Sequence, residues 1–365
     1  MRILFALPGA HRVNRGAEVA IESIARNIAL QGNGDEVVLI GSGPQRASEP
    51  YRYEQVKVIP RERFERLPGI PMARDPEMWE ELTFIPGMLR RLRKRDFDIT
   101  VTCTFPYVNL ALRRWRRRSN AARHVWISEN GIWPLLHDTG EARWFGCDAV
   151  VCINPEYRAA AIERGYQATL IPNGVDVDRF SPGVGDRQAF GLPHGVPIVL
   201  MVSALIASKH VAEGVRAVAE LPDAMLVVAG DGIRRGEIDA LAEGLLPGRY
   251  RRMVIPSAQM PELYRCADVF IHLSRDEAFG NAYVEAMVSG LPCVVHDYPL
   301  TRWIYGEHGT LVDTTDQAAL VAALVAALAS ARIERTAQVA YGRSTFSWKT
   351  IAERYRDLFS QTLAR

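Results

Sequence analysis

Two glutamates eight positions apart are the residues whose type and spacing most clearly suit a chemical site. Glu277 follows an apolar run typical of a strand, and Glu285 falls in the second turn of the helix predicted next. A carboxylate accepts hydrogen bonds from hydroxyl groups, and its charge makes these bonds about twice as strong as neutral ones. One carboxylate would bind the hydroxyls of a sugar while the other binds a ribose. The alternative is that both only complement the helix dipole as surface charge.

The two residues at the start of this helix favour a bound diphosphate. Gly280 lets the backbone approach a ligand closely because it has no Cβ, and Asn281 is of a type favoured as a helix N-cap. The first turn of a helix presents free N–H groups and the positive end of the helix dipole, which together bind anions. We therefore predict that a diphosphate binds at Gly280 and Asn281.

Short apolar runs rich in β-branched residues alternate with amphipathic helical stretches along the chain. This alternation is typical of an α/β fold built on parallel sheets. In the first half we predict strands over 3–7, 37–40, 99–102, 125–127, 149–153 and 169–171, with a helix over 17–30. In the second half we predict strands over 198–202, 225–229, 253–255, 269–273 and 293–296, with helices over 211–221, 238–246, 260–266 and 282–289.

The organisation of the chain indicates two domains. A length of 365 residues exceeds what one hydrophobic core usually organises, and the densest cluster of proline and glycine lies between 178 and 196. We predict two Rossmann-like domains, residues 1–178 and 179–345, with ligands bound in a cleft at the carboxyl ends of the strands. The amphipathic stretch over about 348–363 is interpreted as a packing helix.

The segment of residues 272–297, HLSRDEAFGNAYVEAMVSGLPCVVHD, resembles the Glu-x7-Glu signature of the retaining glycosyltransferases of family four. The positions that match this pattern are Glu277, Phe279, Gly280, Glu285, Ala286, Met287, Gly290 and Pro292. Shorter segments are similar to further motifs of that family and follow the same order. They are RGAE at 15–18, IPNGVD at 171–176, AGDG at 229–232 and FSW at 346–348.

The resemblance implies a GT-B fold, in which two Rossmann-like domains face each other across a cleft. The N-terminal domain, 1–178, would bind the acceptor, and the C-terminal helix, 346–365, would pack back onto it. The C-terminal domain, 179–345, would bind the donor. The implied activity is transfer of a sugar from a nucleotide-diphosphate sugar to an acceptor hydroxyl with retention of configuration, in glycan, glycolipid or glycoside biosynthesis. No metal and no cofactor besides the nucleotide-sugar co-substrate is expected.

The resemblance also implies roles for particular residues. Glu277 and Lys209 would be catalytic, with Glu277 on the donor-sugar hydroxyls and Lys209 on the departing diphosphate. Glu285 would bind the ribose, and the amides at Gly16 would meet the donor phosphates. The donor-binding set is Gly16, Lys209, Glu277, Phe279, Gly280, Asn281 and Glu285. From strand spacing, Ser128 and Glu129 are acceptor-side candidates, although Glu129 could equally be an ordinary cap or loop ion pair.

One departure from the family pattern concerns the diphosphate. Ala204 stands where most members carry an arginine, whereas Lys209 keeps its place. The change removes a charge-assisted contact, and a lysine alone is a point charge without a bidentate fork. Arg12, Arg15 and Arg275 are candidates to replace it. The departure leaves open a non-catalytic nucleotide-sugar-binding subunit of the same fold.

Two further enzyme classes fit the sequence less well than the transferase. A sugar-nucleotide epimerase could share the architecture, but no epimerase motif is present. A dinucleotide-dependent oxidoreductase is disfavoured because the loop after the first strand, Pro8–His11, lacks G-x-G-x-x-G. The base and sugar of the donor, and the acceptor, remain open.

Metal and disulfide sites are not expected. The triplets Asp96–Asp98 and Asp176–Asp178 have the D-x-D form that binds metal in another glycosyltransferase fold, but neither lies in a suitable place. The five cysteines are scattered without a CxxC pair, which indicates reduced thiols and a cytoplasmic protein. His272 and His296, near strand ends, are interpreted as structural.

A formal net charge of +2 hides two basic runs. They contain Arg90, Arg91, Arg93, Lys94 and Arg95, then Arg113, Arg114, Arg116, Arg117 and Arg118 around Trp115. Such helices suit peripheral binding to an anionic membrane surface, here the inner face of the membrane, and a lipid-linked acceptor. The alternative is two solvated helix faces. Nucleic acid is not an expected partner because the rest of the chain is not basic, and no apolar run reaches the roughly 20 residues of a membrane span.

Overall fold

The computed structural model describes residues 1–13, 15–65, 75–93, 95–103, 106–119, 122–129, 146–331 and 335–365, without the side chains of 117–119. Lys94 and the side chains of Arg117 and Arg118 therefore lie outside the described part. The chain divides into two units, Met1–Gly174 with Trp348–Arg365, and Val175–Ser347. The first division falls four residues before the expected end of the first domain at 178, and the chain returns to the first unit at Trp348.

The first unit is built on a parallel sheet of seven strands. The strands are β1 (Arg2–Ala6), β2 (Glu36–Gly41), β3 (Arg52–Gln55), β4 (Ile99–Cys103), β5 (Arg123–Ser128), β6 (Ala149–Cys152) and β7 (Ala168–Leu170). Their order in the sheet is β3-β2-β1-β4-β5-β6-β7. The strand β3 was not predicted, because its sequence RYEQ carries no apolar run.

Helices cover this sheet. They are α1 (Gly16–Leu30), α2 (Pro76–Arg91), α3 (Pro106–Ser119), α4 (Pro155–Glu163) and, at the end of the chain, α12 (Trp348–Leu363). In α12 the buried Ile351, Tyr355 and Phe359 join the same core as β1 and α1. Polar contacts secure the helix further, since Arg356 Nε lies 2.7 Å from Asp35 Oδ2. The last helix thus belongs to the first unit.

The second unit contains a six-stranded parallel sheet. Its strands are β8 (Ile198–Val202), β9 (Met225–Ala229), β10 (Tyr250–Met253), β11 (Val269–His272), β12 (Cys293–His296) and β13 (Thr310–Val312), in the order β10-β9-β8-β11-β12-β13. Its helices are α5 (Val211–Ala219), α6 (Arg235–Leu245), α7 (Met260–Cys266), α8 (Asn281–Val288), α9 (Pro299–Tyr305), α10 (Gln317–Ala329) and α11 (Thr336–Phe346). The strand predicted over 253–255 lies three residues earlier than expected.

In each sheet the strand order reverses once, between β1 and β4 in the first unit and between β8 and β11 in the second. At such a switch point the loops leave two neighbouring strands in opposite directions, and the crevice between them is where open α/β sheets bind ligands. The loops after β8 and β11 carry Lys209 and Glu277, respectively.

Candidate functional site

A lysine and a glutamate meet where β8 and β11 end side by side. The two strands pair through Val269 with Val199 and Phe270 with Leu200. Lys209 closes a short 3-10 turn after β8, and its Nζ donates a hydrogen bond to Oε1 of Glu277. The structure thus brings together the two residues predicted to be catalytic.

The loop that leads to Lys209 is held by the glycines of the AGDG segment. A Cβ on Gly230 would lie 1.9 Å from the carbonyl oxygen of Ser203, and one on Gly232 would lie 2.5 Å from that of Leu205. Only glycine permits this approach. The segment therefore fixes the course of the chain between β8 and Lys209.

His272 is a third member of this site. It is the last residue of β11 and only 4% exposed, and its Nε2 lies 3.4 Å from Oε1 of Glu277. Its Nδ1 accepts the backbone N–H of Ser274 at 3.3 Å. Burial, together with the nearby Lys209 ammonium, lowers the pKa of His272 to about 3, so the ring is neutral at physiological pH. The interpretation of His272 as structural missed this contact.

The start of α8 differs from the predicted cap. Gly280 is the N-cap with φ 79°, and Asn281 is the first helical residue. A positive φ strains residues that carry a Cβ, and a Cβ here would also meet Cδ2 of Tyr283 at 2.5 Å. The prediction of Asn281 as the cap was wrong because this left-handed conformation selects glycine over a side chain that caps.

Phe279 lies inside the second unit. Its side chain is 2% exposed, and its ring packs against those of Trp303 and Phe346, with centroids 6.4 and 6.0 Å away. The ring therefore anchors the loop between β11 and α8, and any contact of Phe279 with a ligand would come from its backbone.

Glu285 occupies the second turn of α8, as predicted from its spacing. Its Oε2 accepts a hydrogen bond from the hydroxyl of Tyr264 at 2.9 Å. Burial raises the pKa of the Glu285 carboxyl, an effect that the Tyr264 hydroxyl partly opposes. The side chain is thereby held in place, and none of the described residues gives it a cationic hydrogen-bond partner.

In the first unit, Ser128 and Glu129 stand at the carboxyl end of β5. Asn173, from the IPNGVD segment, donates through Nδ2 to Oε2 of Glu129 at 2.9 Å. Burial raises the pKa of Glu129 to about 7. Within the described residues, Oγ of Ser128, Oε1 of Glu129 and Oδ1 of Asn173 are buried without a hydrogen-bond partner. Asn173 was not among the predicted site residues, although its motif had been noted.

Gly16 begins α1 and is exposed. A Cβ there would meet nothing within 4 Å, so packing inside the unit does not require glycine. Of the arginines proposed to replace the missing one, Arg15 Nη1 lies 2.8 Å from Glu77 Oε1, and Arg12 pairs with Glu80 and also with Glu62. Both are thus engaged in ion pairs of the first unit.

Ala204 is exposed in the loop after β8. Arg275 follows β11 and is exposed as well, and among the described residues it forms no hydrogen bond or ion pair. The charge of Arg275 also acts on His296: burial is the main cause that lowers the pKa of His296, and the Arg275 guanidinium lowers it further. Of the three candidates, Arg275 is therefore the one without an ion pair to a carboxylate in the described part of the chain, and its charge contributes to lowering the pKa of Asp313.

The described residues contain no group of three or more His, Cys, Asp or Glu side chains that could hold a metal ion. The two aspartate triplets have local structural contacts instead. Asp98 accepts the backbone N–H of Arg2 at 2.7 Å, and Asp176 accepts that of Arg179 at 3.2 Å in a turn.

Described residues of the two basic runs differ in their contacts. Arg90, Arg91 and Arg93 are exposed. In the second run, Trp115 packs edge-on against Phe97, with ring centroids 6.3 Å apart, and Arg116 pairs with Asp148 at 2.7 Å. The tryptophan therefore supports the core of the first unit. In the described part of the chain, no helix has the length and apolar character needed to cross a membrane.

Comparison with known proteins covers both units. A family model described as Glycosyltransferase Family 4 matches residues 14–179, and one described as Glycosyl transferases group 1 matches residues 185–345. A GDP-mannose-dependent alpha-(1-6)-phosphatidylinositol monomannoside mannosyltransferase of Mycolicibacterium smegmatis is 30% identical over 328 residues, which cover 80% of this chain and 84% of that protein.

Solved structures share the fold. A sucrose-phosphate synthase from Thermosynechococcus elongatus aligns with a TM-score of 0.80 and 20% identity over 100% of this chain and 99% of that one. Anabaena HepE in complex with UDP-glucose aligns with a TM-score of 0.74 and 17% identity over 99% and 100%. With a relative matched over most of both chains, this chain belongs to the glycosyltransferases of family four, GT-B enzymes that transfer a sugar from a nucleotide-sugar donor.

Proposed function

We propose that the second unit binds the donor at the ends of β8 and β11 and that transfer proceeds with retention of configuration. The observation that carries this proposal is the fixed carboxylate of Glu277. Its Oε1 accepts a hydrogen bond from Lys209 and lies 3.4 Å from Nε2 of His272, while within the described residues its Oε2 has no hydrogen-bond partner. A carboxylate held in this way is suited to accept a hydrogen bond from a hydroxyl of the donor sugar.

The diphosphate of the donor would bind beside this carboxylate. An ammonium group has three donors, and Glu277 takes one of those of Lys209. The remaining donors of Lys209, the guanidinium of Arg275 and the first N–H groups of α8 would stabilise the charge of the departing diphosphate. Glu285 would accept hydrogen bonds from the ribose hydroxyls. This set of groups supports transfer without a metal ion.

The chemical step is the one that the resemblance to family four implies. The bond between the anomeric carbon and the diphosphate oxygen breaks, and the acceptor oxygen bonds to the same face of the sugar. The proton of the acceptor hydroxyl passes to the departing diphosphate oxygen. No covalent intermediate with the protein is required, so the protein acts by orientation and electrostatic stabilisation.

The donor is tested by a thermal-shift panel of GDP, UDP, ADP and TDP, each alone and with common sugars attached. A ligand that binds the native state alone raises the midpoint of unfolding according to its concentration relative to Kd. GDP-mannose and UDP-glucose come first, because they occur in the names of the Mycolicibacterium relative and the Anabaena complex. A nucleotide sugar that binds without ever being turned over would favour the non-catalytic subunit, and conversion of the donor sugar to its epimer would favour the epimerase.

The role of Glu277 is tested by Glu277→Gln, which keeps the size of the side chain and removes its charge. We expect release of nucleoside diphosphate to fall by about 100-fold or more, as for loss of a group that stabilises the transition state. Glu307→Gln, an exposed glutamate of the same unit, is the matched control and should keep full activity. Retention is read by NMR of the anomeric carbon in the product. Full turnover by Glu277→Gln, or an inverted product, would contradict the proposal.

We further propose that the first unit binds the acceptor hydroxyl at Ser128 and Glu129, supported by the buried oxygens there that lack partners. The Mycolicibacterium relative is named for a phosphatidylinositol mannoside, which makes a lipid-linked acceptor our proposal for this chain.

Peripheral attachment to the inner face of the membrane would follow from the exposed Arg90, Arg91 and Arg93. We expect co-sedimentation with phosphatidylglycerol vesicles that is lost when these three become glutamine. Arg234→Gln with Arg235→Gln is the control, and equal sedimentation of both variants would refute attachment through Arg90, Arg91 and Arg93.

A further inference from the structure

Within the described residues, the two polar contacts of the Glu277 carboxylate fall on the same oxygen. Lys209 Nζ and His272 Nε2 approach Oε1, the latter at 3.4 Å. One flexible lysine cannot fix the rotation of a carboxylate, because its ammonium swings on a four-carbon stem. The second contact, from a ring on a strand, comes from a much more rigid group.

The proton of His272 can be placed from its other nitrogen. Nδ1 faces the backbone N–H of Ser274 at 3.3 Å, and a backbone N–H can only donate. Nδ1 must therefore be the acceptor, and in a neutral imidazole the proton then resides on Nε2. Burial keeps this ring neutral, with a pKa of about 3. Nε2, which lies 3.4 Å from Oε1 of Glu277, thus carries a proton throughout the physiological range of pH.

The orientation of the ring is also fixed by packing. The centroid of the His272 ring lies 4.7 Å from that of Tyr283 and 6.2 Å from that of Phe270. Tyr283 is itself fully buried in α8. The imidazole is therefore held between β11 and α8, the two elements that flank the loop carrying Glu277.

From these contacts we propose that His272 is a positioning residue, whose Nε2–H holds Oε1 of Glu277 so that Oε2 is presented to a hydroxyl of the donor sugar. The contact of His272 Nε2–H with Oε1 of Glu277 would remain when the ammonium of Lys209 turns towards the diphosphate. The inference rests on the proposed role of Glu277 as the group that binds the donor sugar. His272 itself touches no reacting atom.

The test compares two amides. His272→Gln places an amide N–H near the position of Nε2 and can still reach Glu277. His272→Asn keeps only the position of Nδ1, so it preserves an acceptor for Ser274 and loses the donor to Glu277. Donor hydrolysis is measured with GDP-mannose and UDP-glucose as release of GDP or UDP, and Kd is measured for GDP and UDP alone. We expect kcat/KM of His272→Asn to fall about tenfold or more and that of His272→Gln to fall less than threefold. In both variants, Kd for GDP and Kd for UDP should stay within twofold of the wild-type values.

His124 provides a matched control for burial. It is a fully buried histidine at the start of β5, its pKa is likewise lowered to about 3 by burial, and it contacts Thr100, Thr102 and Asn109. His124→Gln and His124→Asn should lower the melting temperature and leave kcat/KM within twofold. If the two His272 variants lose activity equally, or only in step with their melting temperatures, His272 is structural and the inference falls.

A measurement on the wild-type protein decides the point even if a variant does not fold. Nitrogen-15 NMR of labelled histidine should show His272 protonated on Nε2 alone, without change between pH 5 and pH 8. Protonation on Nδ1 would overturn the inference. Failure of the wild type to turn over either donor would instead contradict the proposed function, while the NMR result would still decide the state of His272.

Discussion

The burial of Glu129 predicts how the free energy of unfolding changes with pH, and the size of this change can be worked out from the surroundings of the carboxyl. The carboxyl is 6% exposed, and its nearest polar partner is the neutral amide of Asn173. Burial raises its pKa from 4.5 to about 7. The folded protein therefore holds more protons than the unfolded chain between these two values, and its free energy of unfolding must fall as pH rises through this range.

A pKa that differs by one between the folded and unfolded states corresponds to about 1.4 kcal/mol. The pKa of Glu129 rises by 7 − 4.5, or about 2.5, which corresponds to a loss of about 3 kcal/mol in the free energy of unfolding once the carboxyl is fully ionised. Below about pH 4.5 this loss of stability is absent, and above about pH 7 it has reached its full size. Between pH 5 and pH 8 about 2 to 3 kcal/mol of it should develop. Glu129→Gln replaces the carboxyl by a neutral amide whose oxygen still accepts from Asn173, and it removes this dependence.

The assay is urea denaturation of the wild type and Glu129→Gln at pH 5, 6, 7 and 8. Six of the seven tryptophans, among them Trp126 in β5, belong to the first unit, so tryptophan fluorescence reports mainly on that unit. This matters because two units need not unfold together. The variant should gain stability relative to wild type as pH rises, while other titrating groups such as His124 and His272 contribute equally to both proteins. A difference that does not change with pH, or that changes in the opposite direction, would refute the account of Glu129 as a buried carboxyl with no cationic partner among the described residues.

The remaining predictions concern the second unit. Gly280→Ala should lower the free energy of unfolding by about 1 to 3 kcal/mol, because Gly280 has a positive φ and a Cβ would lie 2.5 Å from Tyr283. Gly236→Ala in α6, where a Cβ meets open space, should leave that free energy unchanged or raise it by up to about 1 kcal/mol. Equal melting temperatures of the two variants would contradict this prediction. Ala204→Arg should tighten binding of nucleoside diphosphate about tenfold by a bidentate phosphate contact, measured by calorimetry, and unchanged Kd would show that residue 204 does not face the diphosphate. Arg275→Gln should weaken the same binding about fivefold to tenfold at low salt, and an unchanged Kd would remove Arg275 from the site.

The interior of each sheet could be predicted from the sequence more accurately than its edges, of which only β7 (Ala168–Leu170) was predicted to within one residue. The predicted strands 198–202 and 225–229 coincide with β8 and β9, which lie inside the sheet and carry continuous apolar runs. The strands β3 and β13 pair on one side only and were not predicted, and β10 lies three residues before its predicted position. Edge strands are partly solvated and contain polar residues such as Arg251 and Arg252, so they lack the apolar signal.

Within the site, sequence reasoning could identify residues but not their contacts. The spacing of Glu277 and Glu285 places both correctly about α8, because helical periodicity is local. The contact of His272 with Glu277 depends instead on how the loop after β11 folds back over the strand end, which no local pattern encodes. Propensity likewise favoured Asn281 as the cap, whereas the left-handed conformation at Gly280 is imposed by the tight turn into α8.

The charges of the site explain why the absence of an arginine at Ala204 matters. Lys209 and Glu277 form an ion pair whose net charge is zero, and His272 beside them is neutral because burial lowers its pKa. A diphosphate brings at least two negative charges, which the first turn of α8 offsets only with partial charges. Neutralising the charge of a bound diphosphate would therefore require a further cation. Arg12 and Arg15 are already paired with carboxylates. We propose Arg275 for that charge, because it is exposed two positions before Glu277 and forms no ion pair in the described part of the chain, although it also lowers the pKa of Asp313.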